Sequence, residues 1–494
     1  KVIMLNRLNL SLITFIAANI VLRSLGLARP LLGNFDSYQT GQAMMSVFFA
    51  QDFFGSLWFP KTYVLVNGEP SVVLLYYPVA SLVVGFLHFL TNVSIDILGR
   101  AQAVVCHALT LVVLYRWLVN RLSVKQTWII LWAYSLFPIS VIYGQSFQNE
   151  AFTNLVTVLF AKSWFDFCDK PRIRCFAVGL LAFSVCLITR PNNLYMGLPC
   201  LIYGMTLPNR WRLIGALMTL GVLSLLAVLP WYWHCYDLTQ KSTHVFASLF
   251  QQLKSSDSFG GGSFILRPNL PLLIINNLLT VVLTPAGAIL FTGGVFQALR
   301  KRDPVRLFFL AWLSGFIVSV LIMPRKYADH AFYFMQFLVP AAYFVSLAYL
   351  ALESRLLFLQ KSKWRVAVLF VVFMISFRFF AHPAFVTGPE QKHFVDLGKK
   401  IKELTPKDAK IAVQGTYSLL YYADRFGWSD SFDIRPDEGV GAIQKFETQY
   451  GLSHVALPHP GRFPQDGLLM AYLRQNYRII YQSSQGDIYE RGLA

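Results

Sequence analysis

The chain has 494 residues, of which 55% are hydrophobic and only 14% charged, with a mean hydropathy of +0.49. Soluble chains of this length run at roughly 45–50% apolar and about a quarter charged, so a wholly soluble protein is excluded. The net charge of +18 would suggest nucleic acid in a soluble protein. Here the basic residues sit in short loops between apolar runs, where the positive-inside rule explains them, and no nucleic-acid partner is expected.

Apolar runs of about 18–25 residues recur from Leu8 to Phe380, each long enough to span a bilayer. The first reads as a retained helix rather than a signal peptide. Basic clusters orient the rest: Arg116, Arg121 and Lys125 after Ile95–Tyr115; Lys170, Arg172 and Arg174 after Ala151–Phe167; Arg210 and Arg212 after Leu194–Leu207. Arg300, Lys301, Arg302 and Arg306 follow Leu272–Leu299, and Arg355, Lys361, Lys363 and Arg365 follow Ala331–Leu352. Placing these loops in the cytoplasm puts 29–94, 144–150, 190–193, 233–271, 324–330 and everything after about 381 outside.

Parity then constrains one segment. Val72–Leu90 is apolar, but if it crossed, every later basic loop would move outside. It is therefore expected to lie on the outer surface or to dip in and return, helped by Pro70 and Pro78. The outcome is about eleven crossings, with twelve as the alternative. The outer stretch Ser255–Ser263 is rich in Gly and Ser and reads as a flexible connection or a gating loop.

From Lys392 to Glu490 the pattern is that of a soluble domain. Helices are predicted at Phe394–Leu404, Ser418–Arg425 and Leu468–Asn476, and strands at Ala409–Gln414, His454–Leu457, Arg478–Gln482 and Asp487–Glu490. Gly439 and Gly441 are assigned to a turn. The fold class is thus a polytopic α-helical membrane protein, residues 1–381, with a small extracytoplasmic α/β domain, residues 382–494. The six cysteines form no disulfide pattern.

The polar residues near the membrane fall on one side. Asp36 lies in the first outer loop, with Glu69 before Pro70. Glu150 opens one helix at its outer end and Arg190 closes another. Arg325, Lys326 and His330 occupy the outer loop 324–330. Ionisable groups beside hydrocarbon are costly and often mark function. Carboxylates can deprotonate an acceptor hydroxyl, and Arg or Lys can hold a departing phosphate. Asp96 and Arg100, and Lys162 and Asp166, have i, i+4 spacing and are expected to pair. A zinc site is not expected without HExxH or Cys/His spacing; Mg²⁺ or Mn²⁺ on a carboxylate pair stays open.

The order and sidedness of these pieces resemble the polytopic glycosyltransferases of the GT-C superfold, and within them the branch of protein O-mannosyltransferases and bacterial aminoarabinose transferases. The matching pieces are Asp36 in the first outer loop, the Glu69–Pro70 step and Arg100 opening a helix that ends Val-Leu-Tyr-Arg116. They continue with Phe-Pro-Ile-Ser at 137–140 leading to Glu150, Arg190–Pro191, and the basic loop from Arg325 running into Phe-Leu-Val-Pro340. The resemblance implies inverting transfer of a sugar from a polyprenyl-phosphate donor to a protein, lipid or glycan acceptor on the extracytoplasmic face. It implies Asp36 as general base, Glu150 as second acid, and Glu69, Arg100, Arg190, Arg325, Lys326 and His330 as substrate-binding residues. The chain departs from the pattern in carrying Glu150 where many relatives carry Asp, and Ser37 after Asp36 where the eukaryotic enzymes carry Glu. A bacterial plasma membrane is favoured over the ER. The competing readings are a transporter or flippase of a lipid-linked sugar, and a non-catalytic membrane scaffold.

Overall fold

The computed structural model describes residues 2–33, 36–254, 269–356, 389–429, 436–458 and 467–492, with parts of 364–382 and residue 386. The Ser255–Ser263 stretch lies outside the described residues. The chain divides into two compact units. One comprises Lys1–Leu27, Arg100–Trp233 and Gln251–Phe385; the other comprises Ala28–Gly99, His234–Phe250 and Val386–Ala494. This division cuts the chain differently from a single boundary at 381, because the first outer loop and a short piece of the fourth join the C-terminal segment.

The first unit is a body of apolar helices. Among the described residues of the chain, four helices are long and apolar enough to cross a membrane: Ile95–Leu118, Arg210–Lys241, Pro304–Ile322 and the run Ala331–Arg355. The pair Asn269–Val282 and Thr284–Leu299 forms a fifth if its 104° bend is counted within one span. Thr284 sits at φ +65° at this break, a conformation few β-branched residues adopt. The run 194–207 is likewise divided, into a 3₁₀ segment Pro191–Met196 and a helix Gly197–Met205. The core is aromatic: Phe309 stacks on Tyr343 at 4.0 Å, and Phe165 on Tyr203 at 3.9 Å. Gly294 lets the helix Thr284–Leu299 meet the helix Leu338–Arg355, since a Cβ there would fall 1.8 Å from the Phe344 carbonyl oxygen. The i, i+4 pair Lys162–Asp166 forms as expected.

The second unit is built on an eight-stranded mixed sheet. Its strands are β1 (Lys61–Val66), β2 (Glu69–Leu74), β3 (Val245–Ser248), β4 (Ile411–Val413), β5 (Gly427–Trp428), β6 (His454–Leu457), β7 (Tyr477–Ser483) and β8 (Gly486–Arg491). Their order is β3-β2-β1-β5-β4-β6-β8-β7. The strands and helices predicted after Lys392 are present within a few residues. Two elements were not foreseen there: β5, and a helix Pro436–Tyr450 that contains Gly439 and Gly441, which are therefore helical and not a turn. From β1, Tyr63 and Val64 bury in one cluster with Met44, Leu397, Ile401, Ile411 and Leu419, and Leu65 joins a second cluster with Ala412, Trp428 and Val455.

The hairpin β1–β2 is what ties the first outer loop to this sheet. Val66 pairs Glu69 across a two-residue loop, Asn67–Gly68. Both loop residues have positive φ, +51° and +82°, as a type I′ turn requires. A Cβ on Gly68 would also fall 2.6 Å from the Tyr450 ring. The apolar stretch 72–90 is not one helix: it runs from β2 through Pro78 into a 13-residue helix, Val79–Thr91. At 1.5 Å per residue that helix is about 20 Å long, shorter than a hydrocarbon core of about 30 Å.

Candidate functional site

Asp36 belongs to the second unit, where it opens the helix Asp36–Gln51. One carboxylate oxygen, Oδ1, accepts from the Ser37 amide at 2.7 Å. The other, Oδ2, accepts from the Ser418 hydroxyl at 3.4 Å. Ser418 in turn lies 2.9 Å from the hydroxyls of both Thr40 and Thr416. Burial pushes the Asp36 carboxyl above its ordinary value, against the opposing pull of the Ser37 amide and the Ser418 hydroxyl. Asp36 is thus a half-buried acid held by neutral donors. Glu69, the other acid of this loop, starts β2 beside the turn and is exposed.

Glu150 and Arg190 belong to the first unit. Glu150 opens the helix Glu150–Asp169, and Arg190 follows the helix Ile173–Thr189, which packs along it. The two side chains form an ion pair and are almost completely buried, 3% and 4% exposed. The Arg190 guanidinium also lies over the Tyr333 ring, 4.6 Å from its centre. A buried carboxylate with a guanidinium on it is neutralised where it stands.

Lys326 and Arg325 stand on the short helix Pro324–Asp329 of the same unit. Arg325 pairs with Asp329 at 3.3 Å. Lys326 has no ion-pair partner among the described residues, and burial followed by the charge of Arg190 lowers its pKa. Three cations here face two carboxylates, so the cluster is poised for an anion. His330 stacks on Phe332 at 5.2 Å. Burial and then the Lys326 charge bring its pKa down to about 4, so it is neutral near pH 7. Arg100 is buried and donates to the Gln145 carbonyl at 3.4 Å, which holds the segment leading to Glu150. Asp96, expected to pair with Arg100, accepts from the hydroxyls of Tyr421 at 2.6 Å and Tyr422 at 3.2 Å.

The structure therefore brings Glu150, Arg190, Lys326, Arg325 and His330 into one neighbourhood, and places Asp36 and Glu69 in the other unit. Among the described residues no three His, Cys, Asp or Glu side chains come together in a metal-holding group. Two features escaped the sequence reading. Ser418 sits 382 residues from Asp36 and carries no local signal. Arg23, fully buried near the end of the first apolar run, donates to Asn19 at 2.7 Å and to the Ser135 carbonyl at 2.9 Å; the Asn19–Arg23 spacing in an apolar run was the available clue.

No family model matches the chain, and no curated protein does. Solved structures do. The apo form of ArnT from Cupriavidus metallidurans superposes with a TM-score of 0.63 at 14% identity, covering 97% of each chain. The oligosaccharyltransferase AglB from Archaeoglobus fulgidus, in complex with an inhibitory peptide and a dolichol-phosphate, gives 0.55 at 12% identity, over 97% of this chain and 74% of that one. The arabinofuranosyltransferase AftD from Mycobacteria gives 0.56 at 13% identity, over 98% of this chain and 40% of that one. All three are GT-C-fold glycosyltransferases. The chain has the GT-C fold. Among the described residues, its helices include four long and apolar enough to cross a membrane.

Proposed function

We propose that the protein is a membrane glycosyltransferase that moves a sugar from a polyprenyl-phosphate donor to an acceptor on the extracytoplasmic face, with inversion. The observation that carries this reading is the state of Asp36. It is a carboxylate with raised proton affinity, held by an amide and a hydroxyl and free of any cation among its recorded partners. Such a group can take the proton from an acceptor hydroxyl or amine as that atom attacks the anomeric carbon. The bond from the anomeric carbon to the phosphate oxygen then breaks, and the electron pair leaves on the polyprenyl phosphate.

Lys326, with Arg190 and Arg325 beside it, is assigned to the donor phosphate, whose charge grows as the bond breaks. Glu150 is assigned to holding Arg190 in place through Oε1, while its buried Oε2 has no hydrogen-bond partner among the described residues. Glu69 is assigned to the acceptor side of the outer loop. The GT-C fold and the dolichol-phosphate present in the AglB complex support this choice of donor class. The site is assigned to the extracytoplasmic side from the distribution of basic loops.

The test is donor consumption. Purified protein is incubated with a panel of polyprenyl-phosphate sugars, and free polyprenyl phosphate is measured for the wild type and Asp36→Asn. Release by the wild type alone establishes the transferase and its base. No release with any donor, or equal release by both proteins, points instead to a transporter or scaffold.

A further inference from the structure

Asp36 is anchored by the segment 416–422 of the C-terminal part of the chain at a sequence distance of about 380 residues. We infer that Ser418, oriented by Thr416, is a positioning residue that sets the direction and proton affinity of the Asp36 carboxylate. This rests on the reading of Asp36 as the base and adds to it a control element from the C-terminal part of the chain, in the same unit.

The hydrogen-bond inventory gives the argument. Each hydroxyl has one proton to give. Thr40 Oγ1 lies 2.9 Å from Ser418 Oγ and can give its proton to that oxygen in place of the Asp36 carbonyl oxygen of its own helix, also at 2.9 Å. Thr416 Oγ1 already accepts from the Ser418 amide at 3.2 Å, so its proton can go to Ser418 Oγ at 2.9 Å. With those two protons placed, the Ser418 proton is left for Asp36 Oδ2. Ser418 and Thr40 are both fully buried, so water does not compete for these groups. The same helix holds the start of the loop as well: the Tyr422 hydroxyl accepts from the Leu31 amide at 2.7 Å. Tyr417 packs edge-on to Phe246 just before β3's Ala247, with ring centres 5.9 Å apart. The loop is thus pinned at Leu31 and at Asp36 by one short helix, Ser418–Ala423, and only the second pin touches the carboxylate.

The charged surroundings leave few other controls. The helix of Asp36 packs against Val79–Thr91, β1 and Ser418–Ala423. Among the described residues, no charged or titratable side chain from those elements contributes to the ionisation of Asp36; its recorded partners are the Ser37 amide and the Ser418 hydroxyl. A donor to the charged form favours that form. Removing the Ser418 hydroxyl therefore raises the pH at which Asp36 becomes a competent base.

The experiment compares wild type, Ser418→Ala and Ser418→Thr across pH, using the donor found above. The expected result for Ser418→Ala is an acid limb of kcat/KM moved upward by about half to one pH unit, a lower kcat with little change in KM, and restoration by Ser418→Thr. A limb that stays in place, or equal loss in both variants, overturns the proposal and leaves Ser418 a packing residue. A second readout needs no turnover: carbodiimide labelling of Asp36 against pH, read by peptide mass spectrometry. The midpoint should be higher in Ser418→Ala than in wild type, and identical midpoints overturn the proposal. If the wild type consumes no donor while the midpoints differ, the transferase reading falls and the Ser418 control of Asp36 stands.

Discussion

The two units treat their acids in opposite ways. In the helical body Glu150 is buried against Arg190, and its charge is cancelled on the spot. In the sheet unit Asp36 is half-buried against an amide and a hydroxyl, with no cation paired to it among the described residues. The first arrangement places a cation directly on the carboxylate. The second leaves a carboxylate that gains by taking a proton. Their partners separate them: a cation on Glu150, and neutral donors on Asp36.

The sharpest way to break this contrast is to neutralise each acid in turn. Asp36→Asn should lower sugar transfer by about 10²- to 10⁴-fold, measured as polyprenyl phosphate release. It should not lower the unfolding temperature. The folded pKa of Asp36 is raised, so its contribution to stability is present below the unfolded value and is lost as pH rises through the folded one. At neutral pH the ionised group costs stability, and the amide removes that cost. Glu150→Gln should do the reverse. It strands Arg190 as a buried, uncompensated charge, which costs on the order of 3–5 kcal/mol and should appear as a clear drop in the unfolding temperature in detergent. If Asp36→Asn unfolds the protein, or Glu150→Gln is as stable as the wild type, the contrast is wrong.

Smaller effects sharpen it. Lys326→Met should raise the KM for donor about tenfold, equivalent to about 1.4 kcal/mol, with a reduced dependence on salt. Within the sheet unit Arg425 donates to the carbonyls of Lys402 at 3.0 Å and Thr405 at 2.8 Å, closing the end of the helix Pro389–Leu404. Arg425→Met should cost about 1–3 kcal/mol, seen as a lower unfolding temperature with the acid limb of the rate unmoved. The smallest effect concerns His330. Its pKa of about 4 keeps it neutral over the working range, so His330→Gln should leave the pH profile above pH 5 unchanged. The acid limb of the wild type should instead report Asp36, with activity lost as pH falls through a value above the ordinary carboxylate range.

The sequence made part of this legible. Apolar runs announced a membrane body because the hydrocarbon core demands long stretches without charge. Period-two and helical patterns located most C-terminal elements, because burial of one face leaves a local trace. The Asn67–Gly68 pair between two β-rich runs, Lys61–Val66 and Glu69–Leu74, is also a readable hairpin signal. The Glu150–Arg190 pair was not readable as a pair, since both residues were visible only as helix ends.

What the sequence determined by itself was local: which stretches avoid water, which turn, and which residues carry charge near the membrane. These follow from side-chain chemistry and backbone preference within a few residues. What only the tertiary structure decided was who meets whom. The joining of β1 and β2 to the C-terminal strands, the guanidinium on Glu150 and the Ser418 hydroxyl on Asp36 all link residues 40 to nearly 400 positions apart. Periodicity records that a face is buried and says nothing of what buries it. The proton affinity of a carboxylate is set by its partners and its solvent, so the surroundings of Asp36 and Glu150 diverged only once the chain was folded.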